Sequence, residues 1–425
     1  MGLGISLIAK KPSRRFFGVF ARETDWKQVF EKSLREAAQE SGVAIVVPPS
    51  VDSPDRIAAH YCEEWLDFIQ RDDAIILQAR TSSCGPGYHA FLVDAVDRLK
   101  SQALIEFGED EDYFDETGYF SSRDYEALRG HHASWLQAVA KQVSGHAVSE
   151  GSIQMVSLSL DGIYPNSSDD FVLTPRGPVA REQFEKIASA GDKTLLEFAS
   201  NWFPWWDRTP SAEDWIRTAR TLLWVDVPWH VPAGDNERRV MEAAVECCNR
   251  AHKASTSTDF PATEIREITA LLAEGAAWET VPSPKGIGYR RALCNRHLGY
   301  GWSIALPGYW YEMQDGDSSG FTFAGQEVWY SSFTVKKKPE FAGSDAPLDL
   351  PAMKENEVVQ FEFTRDKLNI RLEKLRDQPQ GQQFGYRLVA SRSDGLLVVT
   401  FSGYLADWEK TIPEISRSVR SPPTG

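Results

Sequence analysis

A cysteine and a histidine five positions apart stand in the segment Thr81-Ser82-Ser83-Cys84-Gly85-Pro86-Gly87-Tyr88-His89. The segment joins a short apolar run, Ala74–Leu77, to a helical stripe of Tyr88, Leu92, Ala95, Val96 and Leu99. A thiol just ahead of a helix N-terminus feels the positive end of the helix dipole and is biased toward thiolate. An imidazole one turn further on is placed to serve as its base. That would be the chemistry of a cysteine-dependent hydrolase. The competing reading is a tight Gly-Pro-Gly strand-to-helix turn, with Cys84 a small buried filler and His89 on a helix face. The second carries more weight, because the sequence identifies no third residue to orient His89.

Other site chemistries fit less well. No glycine-rich run ends in Lys-Ser/Thr, and Gly286-Ile287-Gly288 precedes no helical pattern, so a phosphate loop is not expected. His131 and His132 are adjacent and diverge by about 100° on a helix. Glu242 and Glu246 share a helical face with Arg238, Arg239 and Arg250, which reads as a salt-bridged surface rather than a metal site. The five cysteines, Cys62, Cys84, Cys247, Cys248 and Cys294, are odd in number and show no recurring spacing. Neither a disulfide framework nor a zinc ribbon follows from them, and a reducing, cytoplasmic setting is expected. No cofactor and no metal are expected.

The partner-binding signals are stronger. Residues 1–280 hold 44 Asp+Glu against 28 Lys+Arg, a net charge of −16, whereas residues 281–425 hold 17 against 18, a net of +1. Such an acidic surface repels nucleic acid and speeds encounter with basic partners. The densest run is Glu106 to Glu116, in which seven of 11 residues are carboxylates, interrupted by Phe107, Tyr113 and Phe114. Carboxylates around aromatic anchors suit docking on a basic protein. The candidate interface residues are Glu109, Asp110, Asp112, Tyr113, Phe114 and Glu116. Trp205 and Trp206 of Asn201-Trp202-Phe203-Pro204-Trp205-Trp206 join them, in a stretch with six Trp between positions 202 and 229. The alternatives are a solvated loop for the first and an aromatic core for the second.

These features must be positioned by an α+β framework of two domains. MGLGISLIAK reads as a first strand, and neither an export leader nor a membrane span is expected. Ile57, Tyr61, Trp65 and Phe68 after Ser53-Pro54 predict a helix. So do Val240, Met241, Ala244, Val245 and Cys248 after Asp235. Val43–Val47, Ala74–Leu77 and the alternating Val156, Leu158, Leu160 predict strands. Residues 1–275 form the larger mixed region, 276–300 a Pro/Gly-rich linker open to proteolysis, and 301–425 a smaller domain. There the period becomes two, at Trp329, Ser331, Phe333, Val335 and at Val359, Phe361, Phe363. Phe384–Ala390 and Leu396–Phe401 predict a hairpin turning at Asp394-Gly395, and a last helix is expected over about 405–418.

The segment around Cys84-Gly85-Pro86-Gly87, the Phe203-Pro204-Trp205-Trp206 stretch and Leu223-Trp224-Val225-Asp226-Val227-Pro228-Trp229 together resemble an immunity-protein family. Its members belong to bacterial polymorphic-toxin and type VI secretion systems and are paired with restriction-endonuclease-like DNase toxins. The C-terminal region, opening on Gly301-Trp302-Ser303-Ile304-Ala305-Leu306-Pro307, is separately similar to small α+β domains of secretion chaperones related to photosystem PsbP proteins. The first resemblance implies a non-enzymatic protein that neutralises a cognate, basic nuclease toxin by non-covalent binding. The second makes an effector-associated chaperone the other alternative to the hydrolase.

Overall fold

The structure is a computed structural model. It describes the chain except for residues 1, 11–25, 42–55, 61–63, 72, 102–104, 146–153, 157–163, 166–169, 256–258, 274–281, 284, 317, 336–345, 354–356, 377–383, 404–405 and 422–425. The expected strand Val43–Val47, the Ser53-Pro54 start and Leu158 and Leu160 lie outside the described residues. The fold is mixed α+β and divides into two compact units. The first comprises residues 1–159, 167–228 and 232–274; the second comprises 160–166, 229–231 and 275–425.

The first unit opens with β1 (Gly4–Lys10), α1 (Trp26–Ser41), β2 (Arg56–His60), β3 (Glu64–Gln70), β4 (Ala74–Arg80) and α2 (Pro86–Ser101). The strands form an antiparallel sheet in the order β1-β4-β3-β2. Alternation sets its buried face: Ile5, Leu7 and Ala9 on β1 and Leu66 and Phe68 on β3 are shielded from solvent. The stripe Ile57, Tyr61, Trp65, Phe68 is therefore not helical. β2 and β3 pair antiparallel, with Ala59 opposite Trp65, and along β3 burial follows period two at Leu66 and Phe68. Phe30 of α1 lies against Phe68 at a centroid distance of 5.3 Å. On α2 the expected stripe is fully formed, with Tyr88, Leu92, Ala95, Val96 and Leu99 all buried.

The unit continues through α3 (Tyr119–Ser122) and α4 (Tyr125–Gly145). The strand β5 (Tyr164–Pro165) belongs to the second unit. Then come β6 (Phe171–Thr174), β7 (Gly177–Ala180), α5 (Arg181–Ala188), α6 (Asp192–Trp202), α7 (Ala212–Val225), α8 (Asp235–Ala254) and α9 (Ala262–Leu272). Leu136, Ala140, Phe184, Ile187, Ala199, Trp202 and Phe203 share one core cluster. On α8, Val240, Met241, Ala244 and Cys248 are buried as their spacing predicted, and Cys247 is buried with them.

The second unit contains β8 (Leu293–His297), β9 (Ser303–Pro307), β10 (Tyr311–Asp315), β11 (Ser318–Phe323), β12 (Gln326–Thr334), β13 (Glu357–Arg365), β14 (Leu368–Leu375), β15 (Phe384–Arg392), β16 (Gly395–Gly403) and α10 (Ala406–Arg417). Seven strands make one antiparallel sheet, β10-β11-β12-β16-β15-β14-β13, and β5-β8-β9 make a second. Residues 285–300 are thus not linker: Tyr289, Arg291 and Cys294 are buried, and β8 pairs along β9. Gly286 and Gly288, both at positive φ, shape a compact entry to the unit. The 301–307 segment opens the small sheet, not the large one. The period-two segments are strands, although Phe333, Val335 and Val359 are exposed rather than core. The hairpin forms between β15 and β16 with Arg392 opposite Gly395, so the loop is Ser393-Asp394 rather than Asp394-Gly395. Neither loop residue takes positive φ. Trp408, Ile412 and Ile415 of α10 are buried, and Trp310 meets Trp408 at 4.5 Å between centroids. On the large sheet a buried ionic chain satisfies Glu373, which accepts from Arg371 at 2.5 Å and Arg387 at 2.8 Å. Arg387 also donates to Glu357 at 2.6 Å.

Two glycines carry the sharpest steric constraint. Gly85 has φ +109°, and a Cβ there would lie 2.5 Å from the Trp205 carbonyl oxygen. A Cβ on Gly87 would lie 2.1 Å from the Trp205 indole. Gly85→Ala, through overpacking and backbone strain, and Gly87→Ala, through overpacking alone, are each expected to destabilise the protein by about 2–4 kcal/mol. Urea unfolding reads this directly; wild-type midpoints for both variants would show that the approach of Trp205 is not obligatory.

Candidate functional site

The Cys84 turn is built by three backbone links. Thr81 N–H donates to the Leu3 carbonyl at 2.9 Å, closing the turn against β1. Trp205 N–H donates to the Cys84 carbonyl at 3.0 Å, and Gly87 N–H donates to the Trp205 carbonyl at 3.1 Å. The two motifs that stand apart in the sequence are one joint. Thr81, Ser82 and Cys84 are 0% exposed. Trp205 and Trp206 are 3% and 7% exposed, so they are core residues and not interface anchors. The Trp205 ring lies 5.5 Å from Phe91 and 6.4 Å from Tyr88 between centroids. Tyr125 hydroxyl donates to the Trp206 carbonyl at 2.7 Å.

Asp214 fastens the other side of the joint. It is 1% exposed and accepts from Trp206 N–H at 2.8 Å, Asp207 N–H at 3.3 Å, and both the N–H and the hydroxyl of Ser211 at 3.0 Å. Arg217 completes the set with an ion pair. Ser211 accepts Asp214 N–H in return, so a capping box starts α7 while the same carboxylate holds the Trp205-Trp206 backbone.

His89 is wholly buried, and both ring nitrogens are occupied. Nδ1 meets the Thr81 hydroxyl at 3.0 Å, and Nε2 meets Asp115 Oδ2 at 3.1 Å. A carboxylate only accepts, so Nε2 carries a proton. Asp115 further accepts from the Thr117 hydroxyl at 2.7 Å, Thr117 N–H at 2.8 Å and Phe120 N–H at 2.8 Å. Burial alone would raise the Asp115 carboxyl, but the hydrogen bond and charge of His89, with the Thr117 donors, outweigh it and hold it down at about 2. Neighbouring His132 is pushed down to about 3 by burial and then by the charge of His89. It donates Nδ1–H to the Leu128 carbonyl at 3.1 Å. Thus the residue that orients His89 does exist, as Asp115. The resulting hydroxyl–imidazole–carboxylate row has catalytic-triad chemistry but ends on Thr81 rather than Cys84. All three members are buried. Burial pushes the Cys248 and Cys294 thiols up to about 12 and the Cys247 thiol higher still, so these three remain protonated.

The acidic run lies along the outer edge of β1. Gly108 exchanges backbone bonds with Ile8 at 2.8 and 3.0 Å, Ser6 N–H donates to the Phe114 carbonyl at 3.1 Å, and Glu116 N–H donates to the Gly4 carbonyl at 3.3 Å. Several of its carboxylates serve this placement. Asp110 Oδ1 accepts from Asp112 and Tyr113 N–H at 2.9 Å. Glu109 accepts Asp115 N–H at 2.9 Å and the Ser121 hydroxyl, and Glu116 accepts Gly4 N–H at 2.9 Å. Phe107 is core, 6.3 Å from Phe30 between centroids. Tyr113 is half-buried, Glu111 and Asp112 are exposed, and Phe114 is 50% exposed. The run is an ordered projection rather than a plain solvated loop. Sequence reasoning missed Asp115, Thr117 and Asp214 as organising residues; the available signals were the Asp115-x-Thr117 spacing and the Ser211-x-x-Asp214 capping pattern. Among the described residues no group of three or more His, Cys, Asp or Glu is placed to hold a metal ion, and no helix is long and apolar enough to cross a membrane. No protein-family model matches the chain, and no curated protein matches it significantly.

Because the Asp115 carboxyl is depressed in the folded protein, its stabilisation is complete above its ordinary value near 4 and is lost as pH falls through about 2. Asp115→Asn is expected to cost about 1–3 kcal/mol at neutral pH, since it disrupts the buried acceptor shared by His89, Thr117 and Phe120. The variant's stability should also fall less steeply than wild type between about pH 4 and pH 2. Urea midpoints across that range measure both; parallel pH profiles would contradict the pairing.

Proposed function

We propose that this chain is an immunity protein that neutralises a cognate nuclease toxin, of the type VI secretion kind, by forming a non-covalent complex in the cytoplasm. The observation that carries the reading is the acidic projection: Glu111, Asp112 and the half-exposed Phe114 stand on a run fixed to β1 by backbone bonds and Glu116 and braced within itself by Glu109 and Asp110. Pre-ordering lowers the entropy lost on binding. The −16 charge of residues 1–280 suits a toxin that must itself attract phosphate. The burial of Cys84 and the double engagement of His89 favour binding over thiol hydrolysis, because a base needs an available ring nitrogen within reach of its thiol.

Co-expression with a nuclease toxin encoded beside it should relieve toxicity, and the two proteins should co-purify. Folded Cys84→Ala and His89→Ala variants should still protect. Glu111→Lys with Asp112→Lys should slow association and flatten its salt dependence, because exposed charges act on encounter. Phe114→Ala should instead speed dissociation, by about tenfold for each 1.4 kcal/mol of lost anchoring. Surface plasmon resonance separates the two rates. Loss of protection in a folded Cys84→Ala protein, or unchanged rates in both surface variants, would count against the reading.

A further inference from the structure

Within the acidic first unit, three arginines gather where the β6–β7 hairpin meets α7. Arg176 is the hairpin-tip residue, and the next position, Gly177, is seated over the Trp224 ring of α7, with 3.8 Å between its would-be Cβ and the indole. The Arg176 guanidinium lies over the Trp202 ring at 5.8 Å. Arg217 reaches the same end of α6, donating Nε–H to the Phe203 carbonyl at 2.8 Å. Arg220 follows three residues on, so helical spacing sets it on the same stripe of α7 as Arg217, Thr221 and Trp224. Arg217 and Arg220 each spend part of their guanidinium on one carboxylate, Asp214 and Asp259. Arg176 has no carboxylate partner among the described residues, and it reaches solvent. On the same helix, the buried Nε of Arg220 has no hydrogen-bond partner. Three cations against two paired carboxylates, beside the Trp202 and Trp224 rings, form a positive patch in a unit whose sequence is otherwise strongly acidic.

We infer that this cluster is an oxyanion site that takes a phosphate-type tetrahedral anion, with Arg176 as its principal ligand and Arg217 and Arg220 as flanking donors. Planar guanidinium groups suit such anions because paired N–H groups match paired oxygens. The like charges of Arg217 and Arg220 act on the Arg176 guanidinium, and an anion seated between them relieves that repulsion. The inference does not rest on the toxin-binding reading, since it uses a different surface and a ligand of opposite charge.

Isothermal titration of the full-length protein with inorganic phosphate, against chloride at equal ionic strength, tests it. Saturable one-to-one binding is expected, weakened at least tenfold in Arg176→Gln and unchanged in Arg239→Gln, which removes an exposed arginine of α8. Arg220→Gln, checked for a wild-type melting temperature, gives a second reading should the hairpin variant misfold. Absence of saturable binding, or equal binding by wild type and a folded Arg176→Gln or Arg220→Gln protein, would overturn the assignment.

Discussion

The first unit depends on one close approach: the backbone of Trp205 laid against the Cys84-Gly85-Pro86-Gly87 turn. Two hydrogen bonds, at 3.0 and 3.1 Å, make the contact. Two missing side chains, at Gly85 and Gly87, make room for it. Everything that gave the turn a chemical look follows from this packing. Cys84 is small and apolar enough to be sealed beneath a tryptophan backbone. Pro86 starts α2 where its missing N–H costs nothing. Once α2 is fixed, His89 points into the core and needs partners on both ring nitrogens.

Buried polar groups then tie distant segments to the joint, because an unsatisfied buried donor or acceptor is costly. Asp115 pairs with His89 and so fastens the end of the acidic run to the start of α2. Asp214 gathers five donors and fastens the Trp205-Trp206 backbone to the start of α7. Both carboxylates are nearly inaccessible to solvent. The remaining acids divide by task. Glu109, Asp110 and Glu116 hold the projection in shape, while Glu111 and Asp112 are exposed.

The parts of this arrangement legible in the sequence were those governed by local periodicity. The α2 and α8 stripes, β4, the β15–β16 hairpin and the last helix all carry their pattern within a few residues. The β2 and β3 segments were misread because apolar side chains three and four apart satisfy a helix template, and only the pairing of β3 with β2 and β4 decides. The 285–300 stretch was misread because glycines such as Gly286 and Gly288 shape compact turns as readily as they loosen linkers. The site was harder still. Asp115 lies 26 residues from His89, and Trp205 lies more than 100 residues from Gly85, so no local spacing joins them. Trp205 and Trp206 looked equally suited to an interface or a core, and only their burial separates the two.

The account turns on a reactive-looking cysteine being a sealed structural element. Native-state alkylation with iodoacetamide, read residue by residue by mass spectrometry, addresses that most directly. The account predicts that Cys84 stays unmodified in the folded protein at neutral pH, over times that fully label an exposed thiol, and reacts only as global unfolding is induced with urea. Rapid, stoichiometric labelling of Cys84 in the native protein would contradict it and would return the Cys84–His89 pair to catalysis.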